Sequence, residues 1–265
     1  MLDRYEKKRY NVHINIKEGL RLCAFTMKTV LITGGSRGIG AETVRKFSEL
    51  GYSVAFTYLS SEREALALAE ECRALAIRAD VRSEQDAIGA VRRVVDTYGS
   101  IDVLVNNAGI SSHALFTDLS LAEWEDMLRV NLTGAFLFSR EALKYMIREH
   151  RGAIVNVSSM WGLVGASCEV HYSTAKAALI GMTRALAKEV GPSGITVNAI
   201  APGVIDTDMN RNLSAEDIDV LRDETPLCRL GTAREIAEAI AFLSSDAASF
   251  ITGETLNASG GFVIG

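Results

Sequence analysis

Tyr172 and Lys176 stand four residues apart, at the start of an alanine-rich stretch to Val190 that predicts a helix. On a helix that spacing puts both side chains on one face. A free phenol has a pKa of about 10, too high for easy proton exchange near neutrality, and a fixed ammonium beside it lowers that value by stabilising phenolate. Proton donors work best with a pKa near the working pH. Ser159, thirteen residues before Tyr172 and just after an apolar run, can hydrogen-bond the oxygen that Tyr172 serves and fix its position. Taken alone, a Tyr and a Lys at this spacing also describe a surface pair; Ser159, with Asn131 further upstream, weighs against that.

A second constellation is Thr33-Gly34-Gly35-Ser36-Arg37-Gly38-Ile39-Gly40. Glycines tolerate positive φ and let a ligand approach the backbone closely. A turn that opens a helix offers free N–H groups and a positive dipole end, which suit a pyrophosphate. Glycine turns also join strands to helices for steric reasons alone. This one follows the first strand of an α/β alternation, where dinucleotides bind.

The elements that must position these groups can be read along the chain. Strands are expected over Thr29–Thr33, Ser53–Tyr58, Ala74–Ala79, Ile101–Asn106, Ala153–Ser158 and Gly194–Ile200, with Leu256 in a short last strand. Helices are expected over Ile39–Leu50, Ser61–Cys72, from Ser83 to Tyr98, from Asn131 to His150 and over Tyr172–Val190. Ser120 with Glu123, and Thr232 with Glu235, are capping-box patterns that open two more. Strands alternating with helices predict one Rossmann-type, doubly wound parallel sheet with helices on both faces. No repeat or linker divides the chain, so residues 27–265 read as a single domain. Residues 1–26 differ in periodicity and read as a flexible extension, or as the product of a start codon placed too far upstream.

Composition narrows the function. The 265 residues are 48% hydrophobic and 23% charged, with net charge −5. Residues 1–26 carry six basic and three acidic side chains, so the remainder stands at −8, a poor match for nucleic acid. No run approaches the roughly 18 apolar residues of a membrane helix. Cys23, Cys72, Cys168 and Cys228 lie far apart without metal spacing, so no metal is expected and a reducing, cytoplasmic setting fits best.

The glycine turn, Asn106-Asn107-Ala108-Gly109, Ser159, Tyr172-x-x-x-Lys176 and Pro202-Gly203 together resemble the short-chain dehydrogenase/reductase family, in the family's order from Met27 to the C-terminus. The resemblance implies a carbonyl reductase in which Tyr172 donates a proton to the carbonyl oxygen as hydride arrives at carbon. It also implies that Ser159 binds that oxygen and that Lys176 holds the nicotinamide ribose. Asn131 matches the residue that kinks its helix and anchors a water leading protons to the lysine. Gly34, Ser36, Gly38, Ile39 and Gly40 would cradle the cofactor, Asp80 and Val81 would meet adenine, and Asn107, Ala108 and Gly109 would support the adenosine. Pro202, Gly203, Ile205 and Thr207 would close over the nicotinamide, followed by a polar, weakly periodic lid from Asp208 to about Arg229. Strand two ends Thr57-Tyr58-Leu59-Ser60, without the acid that selects NAD. Arg37, with Ser60 and Tyr58 beside it, favours the 2′-phosphate of NADP(H). A solvated loop cation is the plainer account of Arg37.

The overall pattern is most similar to the 3-oxoacyl-carrier-protein reductases, although Ser193 stands where they tend to carry a basic residue. The loop from Trp161 to Val170, with Glu169 three residues before Tyr172, is similar to that of bacterial reductases of the 5-aminopentanone group on elongation factor P. There Trp161 would line the substrate and Glu169 would pair with an ammonium; Glu169 facing solvent or capping the next helix is equally open. A non-catalytic dinucleotide sensor on the same fold is the alternative of another class. Ser158 reads as a supporting hydroxyl and His171 as a loop histidine, while His113 and His150 have no partner in the sequence. Apolar residues Phe136, Phe138, Leu179, Met182 and Leu186 exceed what one sheet face needs, and with the resemblance they imply a homotetramer or homodimer.

Overall fold

The computed structural model describes residues 27–208 and 214–264. The expected extension over 1–26 and part of the expected lid lie outside those residues.

Seven strands form one parallel sheet in the order β3-β2-β1-β4-β5-β6-β9. They are β1 (Thr29–Ile32), β2 (Ser53–Tyr58), β3 (Leu75–Arg78), β4 (Val103–Asn106), β5 (Gly152–Val157), β6 (Ile195–Pro202) and β9 (Thr255–Ala258). The central strands are buried on both sides because alternate side chains feed two cores. Val30, Ile32, Val103, Val105 and Val155 enter one core with Val44 and Phe47 of α1 (Gly38–Glu49) and Ile236 and Ile240 of α9 (Ala233–Leu243). Leu31, Leu104 and Ile154 enter the other. They meet Val91 and Val94 of α3 (Glu84–Tyr98), Phe138 and Met146 of α5 (Gly134–Glu149), and Ala187 of α7 (Val170–Val190). The chain winds outward from β1 through β2 to β3, then returns and winds the other way from β4. The carboxyl ends of β1 and β4 therefore flank the crevice where open α/β sheets hold ligands.

Local signals hold where they were strongest. Ser83 caps α3 by accepting the Asp86 N–H, and Gly99 closes it in a left-handed conformation. Both expected capping boxes form, at α4 (Leu121–Leu128) and at α9. The stretch expected as one helix from Asn131 differs: α4 runs into a π-helical turn, Arg129–Thr133, before α5 begins. Elements not expected include α6 (Trp161–Val164), α8 (Ala215–Asp223), and the two-residue strands β7 (Ile205–Asp206) and β8 (Gly231–Thr232), which pair in parallel. The α8 helix opens with a Ser214–Asp217 capping box, a local signal inside the stretch read as lid. Of the apolar residues expected in surplus, Phe138 and Leu179 are fully used in the core, whereas Phe136 stays 45% exposed. No helix among the described residues is long and apolar enough to cross a membrane.

Candidate active site

The glycine turn is built by close approach. Gly35 donates to the Thr57 carbonyl at 2.9 Å, and a Cβ there would sit 2.5 Å from Cβ of Phe56. A Cβ on Gly40 would sit 2.1 Å from the Gly34 carbonyl oxygen, so neither position has room for a side chain. Asn107 Nδ2 ties the turn down by donating to the carbonyls of Thr33 at 3.0 Å and Gly34 at 2.9 Å. Thr33 Oγ1 in turn accepts the N–H groups of Asn107 and Ala108. Gly38 starts α1 at φ +53°, and no acid occupies the first turn. Among the described residues the N–H groups of Gly38, Ile39 and Gly40 have no acceptor, which fits an anionic group at this helix end. Ser36 is half-buried beside them.

Arg37 is exposed at the N-cap of α1 and makes no ion pair among the described residues. Ser60 is exposed beyond the end of β2. Tyr58 is buried, with its hydroxyl 3.4 Å from Glu62 Oε1 at the start of α2 (Glu62–Cys72). Asp80 follows β3, and its carboxylate is gripped by Arg82, whose Nη2 lies 2.8 Å away. That hydrogen bond holds the Asp80 carboxyl below the usual range. Arg82 Nη1 reaches on to Asp126 of α4 at 2.9 Å. Sequence reasoning missed Arg82 and Asp126, because nothing local announces a bridge between β3 and α4. Val81 packs where a Cβ on Gly134 would sit, 2.9 Å from its own Cβ.

Across the crevice, Ser159, Tyr172, Lys176 and Asn131 are all buried. Ser159 hydrogen-bonds the Tyr172 phenol, and its Oγ accepts the Trp161 N–H at 3.2 Å. The Trp161 ring packs against Met127 and Tyr172 and stacks edge-on with Phe262 at 5.5 Å. Lys176 Nζ donates to the Val157 carbonyl at 2.9 Å and lies 5.6 Å from the centre of the Tyr172 ring. Ser158 Oγ donates to the Lys176 carbonyl at 2.9 Å, the supporting place expected for it. A Cβ on Gly109 would lie 2.7 Å from Asn131 Oδ1 and 3.4 Å from Lys176 Nζ, so the end of β4 meets both residues. Asn131 sits in the π turn, donating to the carbonyls of Ile110 at 3.0 Å and Met127 at 3.1 Å.

Protonation departs from the expectation. Burial pushes the Tyr172 phenol up to about 12, against the Ser159 hydrogen bond that lowers it, and burial brings the Lys176 amine down to about 8. Desolvation opposes both charged forms.

The segment after β6 closes the crevice from the other side. The Pro202 carbonyl accepts the Met160 N–H, Gly203 donates to Ala258, and Ile205 is buried. Thr207 lies against the glycine turn, with Cγ2 3.5 Å from where a Cβ on Gly38 would stand.

Glu169 neither faces solvent nor caps α7 through its side chain: it is 8% exposed and pairs with His113 Nε2 at 3.0 Å. Burial raises its carboxyl pKa, while His113 pulls the other way. His171 is no loop histidine. It is fully buried in the first turn of α7, its Nε2 is 2.8 Å from Ser112 Oγ, and burial lowers its pKa. His150 ends α5 in a left-handed conformation.

Comparison with known proteins decides the family. The model described as "Enoyl-(Acyl carrier protein) reductase" matches residues 34–263. A solved structure of a Serratia marcescens short-chain dehydrogenase/reductase double mutant is similar at TM-score 0.84 and 36% identity, covering 89% of this chain and 97% of that one. The chain belongs to the short-chain dehydrogenase/reductase family. Among curated members, the 3-oxoacyl-[acyl-carrier-protein] reductase FabG of Aquifex aeolicus is 43% identical over 88% of this chain and 96% of its own length. The FabG of Staphylococcus aureus is 41% identical over 88% and 97%. The 3-oxoacyl-[acyl-carrier-protein] reductase of a Synechocystis species is 39% identical over 92% of this chain and all of its own. As in the alternation read from sequence, this short-chain dehydrogenase/reductase places its glycine turn after β1, and Asn107 and Gly109 after β4 reach that turn and Lys176 respectively.

Proposed function

We propose that this chain is an NADPH-dependent ketone reductase acting on 3-oxoacyl thioesters carried by acyl carrier protein. The observation that carries the reading is the Ser159–Tyr172 hydroxyl pair, buried with Lys176, whose Nζ lies beside Gly109 at the end of β4. Two hydroxyls directed at one point suit an oxygen that gains negative charge as its carbon is reduced. The free N–H groups of α1 hold the pyrophosphate, and Arg37 with Ser60 holds the 2′-phosphate. Asp80, Val81, Asn107, Ala108 and Gly109 support the adenosine end. Pro202, Gly203, Ile205 and Thr207 border the nicotinamide, and Lys176 holds its ribose. Bound NADPH supplies the hydride.

Ser159 Oγ holds the carbonyl oxygen and Tyr172 Oη gives it a proton. Asn131 keeps Ile110 and Gly109 in place beside Lys176. Trp161 lines the substrate side. The free thiols Cys72, Cys168 and Cys228 suit a reducing cytoplasm, and exposed Phe136 and Phe250 suit burial in a homotetramer or homodimer.

The Glu169–His113 pair favours the neutral thioester. Binding of an ammonium on an elongation factor P aminoketone would have to break that pair. The test follows NADPH consumption with a 3-oxoacyl thioester, the matching 2-enoyl thioester and a short aminoketone side by side. Faster thioester ketone reduction, abolished in Tyr172→Phe, supports the reading; faster enoyl or aminoketone turnover overturns its substrate class. No turnover of any carbonyl, with NADPH still bound, favours a dinucleotide sensor.

A further inference from the structure

Three contacts join the segment after β4 to the start of α7. The Ala114 N–H donates to the Cys168 carbonyl at 2.9 Å, Ser112 Oγ meets His171 Nε2 at 2.8 Å, and His113 Nε2 pairs with Glu169 Oε1 at 3.0 Å. They occupy successive residues on one side and nearly successive residues on the other. Cys168 is held at φ +60°, a conformation that persists in a non-glycine residue when its surroundings over-determine it. The same segment begins at Ile110, whose backbone Asn131 grips from the other side. The tied strip thus runs from the π turn past Tyr172, with apolar Leu115 and Phe116 more than half exposed at its outer end. Glu169 and His171 lie just before Tyr172 in the chain, so the strip they hold borders the catalytic tyrosine.

We propose that His113 and Glu169 are substrate-positioning residues: their contact latches the 110–116 strip to the catalytic helix as the wall along which the acyl chain lies. The inference rests on the reading of Tyr172 and Ser159 as the carbonyl-binding pair. His113 is a positioning residue because it acts through Glu169 and the strip.

The latch needs the Glu169 carboxylate as acceptor and the His113 ring as donor. The titratable groups around it are Glu169 and His113 themselves, Tyr172 and His171 on α7, Glu123 of α4, which faces His171, and Lys176 beyond the Tyr172 ring. Burial favours the neutral form of His171, which Ser112 meets. Burial raises the Glu169 carboxyl and the His113 contact opposes that, so the pair helps keep Glu169 charged.

The experiment measures KM for acetoacetyl-N-acetylcysteamine at neutral pH in the full chain, with wild type, His113→Ala and His113→Lys. His113 is 63% exposed in its side chain, so both variants leave the core untouched. A lysine offers the Glu169 carboxylate a charged donor in the same place. The expected result is a KM about fivefold higher in His113→Ala than in wild type. His113→Lys keeps the KM within about twofold of wild type. Values of kcat and the KM for NADPH stay within about twofold, since the latch touches neither the hydride nor the proton donor. Amide deuterium exchange over residues 110–118 rises in His113→Ala, a readout independent of turnover. An unchanged KM in His113→Ala, a His113→Lys KM as high as that of His113→Ala, or unchanged exchange overturns the latch. If Tyr172→Phe keeps full activity, the reading of the site fails instead, and the exchange measurement still decides the latch.

Discussion

Asn131 and Ile110 hold each other in both directions: Asn131 Nδ2 donates to the Ile110 carbonyl at 3.0 Å, and Asn131 Oδ1 accepts the Ile110 N–H at 3.3 Å. The side chain also satisfies the Met127 carbonyl at 3.1 Å, inside a π turn. One amide thus fixes the end of β4 against the junction of α4 and α5, with Lys176 Nζ close by.

Replacing Asn131 by Ala leaves partly buried backbone groups at Ile110 and Met127 without partners. The expected cost is about 2 kcal/mol of stability. Urea unfolding measures it, with a fall in kcat alongside. A variant within about 0.5 kcal/mol of wild type would show that water replaces the amide.

Gly40→Ala places a carbon against the Gly34 carbonyl oxygen, and backbone on both sides leaves nothing to yield cheaply. The variant is expected to lose about 3 kcal/mol or more and to bind NADPH at least tenfold more weakly. Thermal melting and quenching of intrinsic fluorescence by NADPH check the two effects separately.

In the proposed function Arg37 and Ser60 carry the cofactor choice. Arg37→Ala is expected to raise the KM for NADPH by about tenfold to hundredfold while leaving NADH almost unchanged, the scale of one charge-assisted phosphate contact. Ser60→Asp supplies the missing acid and should push preference further toward NADH. Equal effects on both cofactors would place the 2′-phosphate elsewhere.

Lys176 makes stability depend on pH. Its folded pKa of about 8 lies below the unfolded 10.5, so between those values the unfolded chain binds more protons. Stability from this group therefore rises as pH climbs from about 8 towards 10.5, and is flat below. Lys176→Met removes the dependence. The difference in unfolding free energy between wild type and Lys176→Met should shift in favour of wild type by on the order of 2 kcal/mol between pH 8 and pH 10. A constant difference would mean that Lys176 is better solvated than its burial indicates. Tyr172, pushed up to about 12, works the opposite way above pH 10, where its contribution is lost as pH rises.

What the sequence determined by itself is local in the chain. Ser120 and Glu123, Thr232 and Glu235, and Ser83 and Asp86 meet across three residues, so their caps are written in their spacing. Tyr172 and Lys176 share a face because a helix repeats every 3.6 residues. The strand–helix alternation and the glycine turn likewise specify the doubly wound sheet and where its crevice opens. Tertiary structure alone decided the rest. His113 meets Glu169 across 56 positions, Ser112 meets His171 across 59, and Arg82 meets Asp126 across 44. No local spacing encodes those contacts, since each depends on how two loops or two helices dock. Burial follows the same rule: it turned His171 from a loop residue into a core one and drove the Tyr172 and Lys176 pKa values apart. Desolvation belongs to the packed interior, and a linear sequence does not display it.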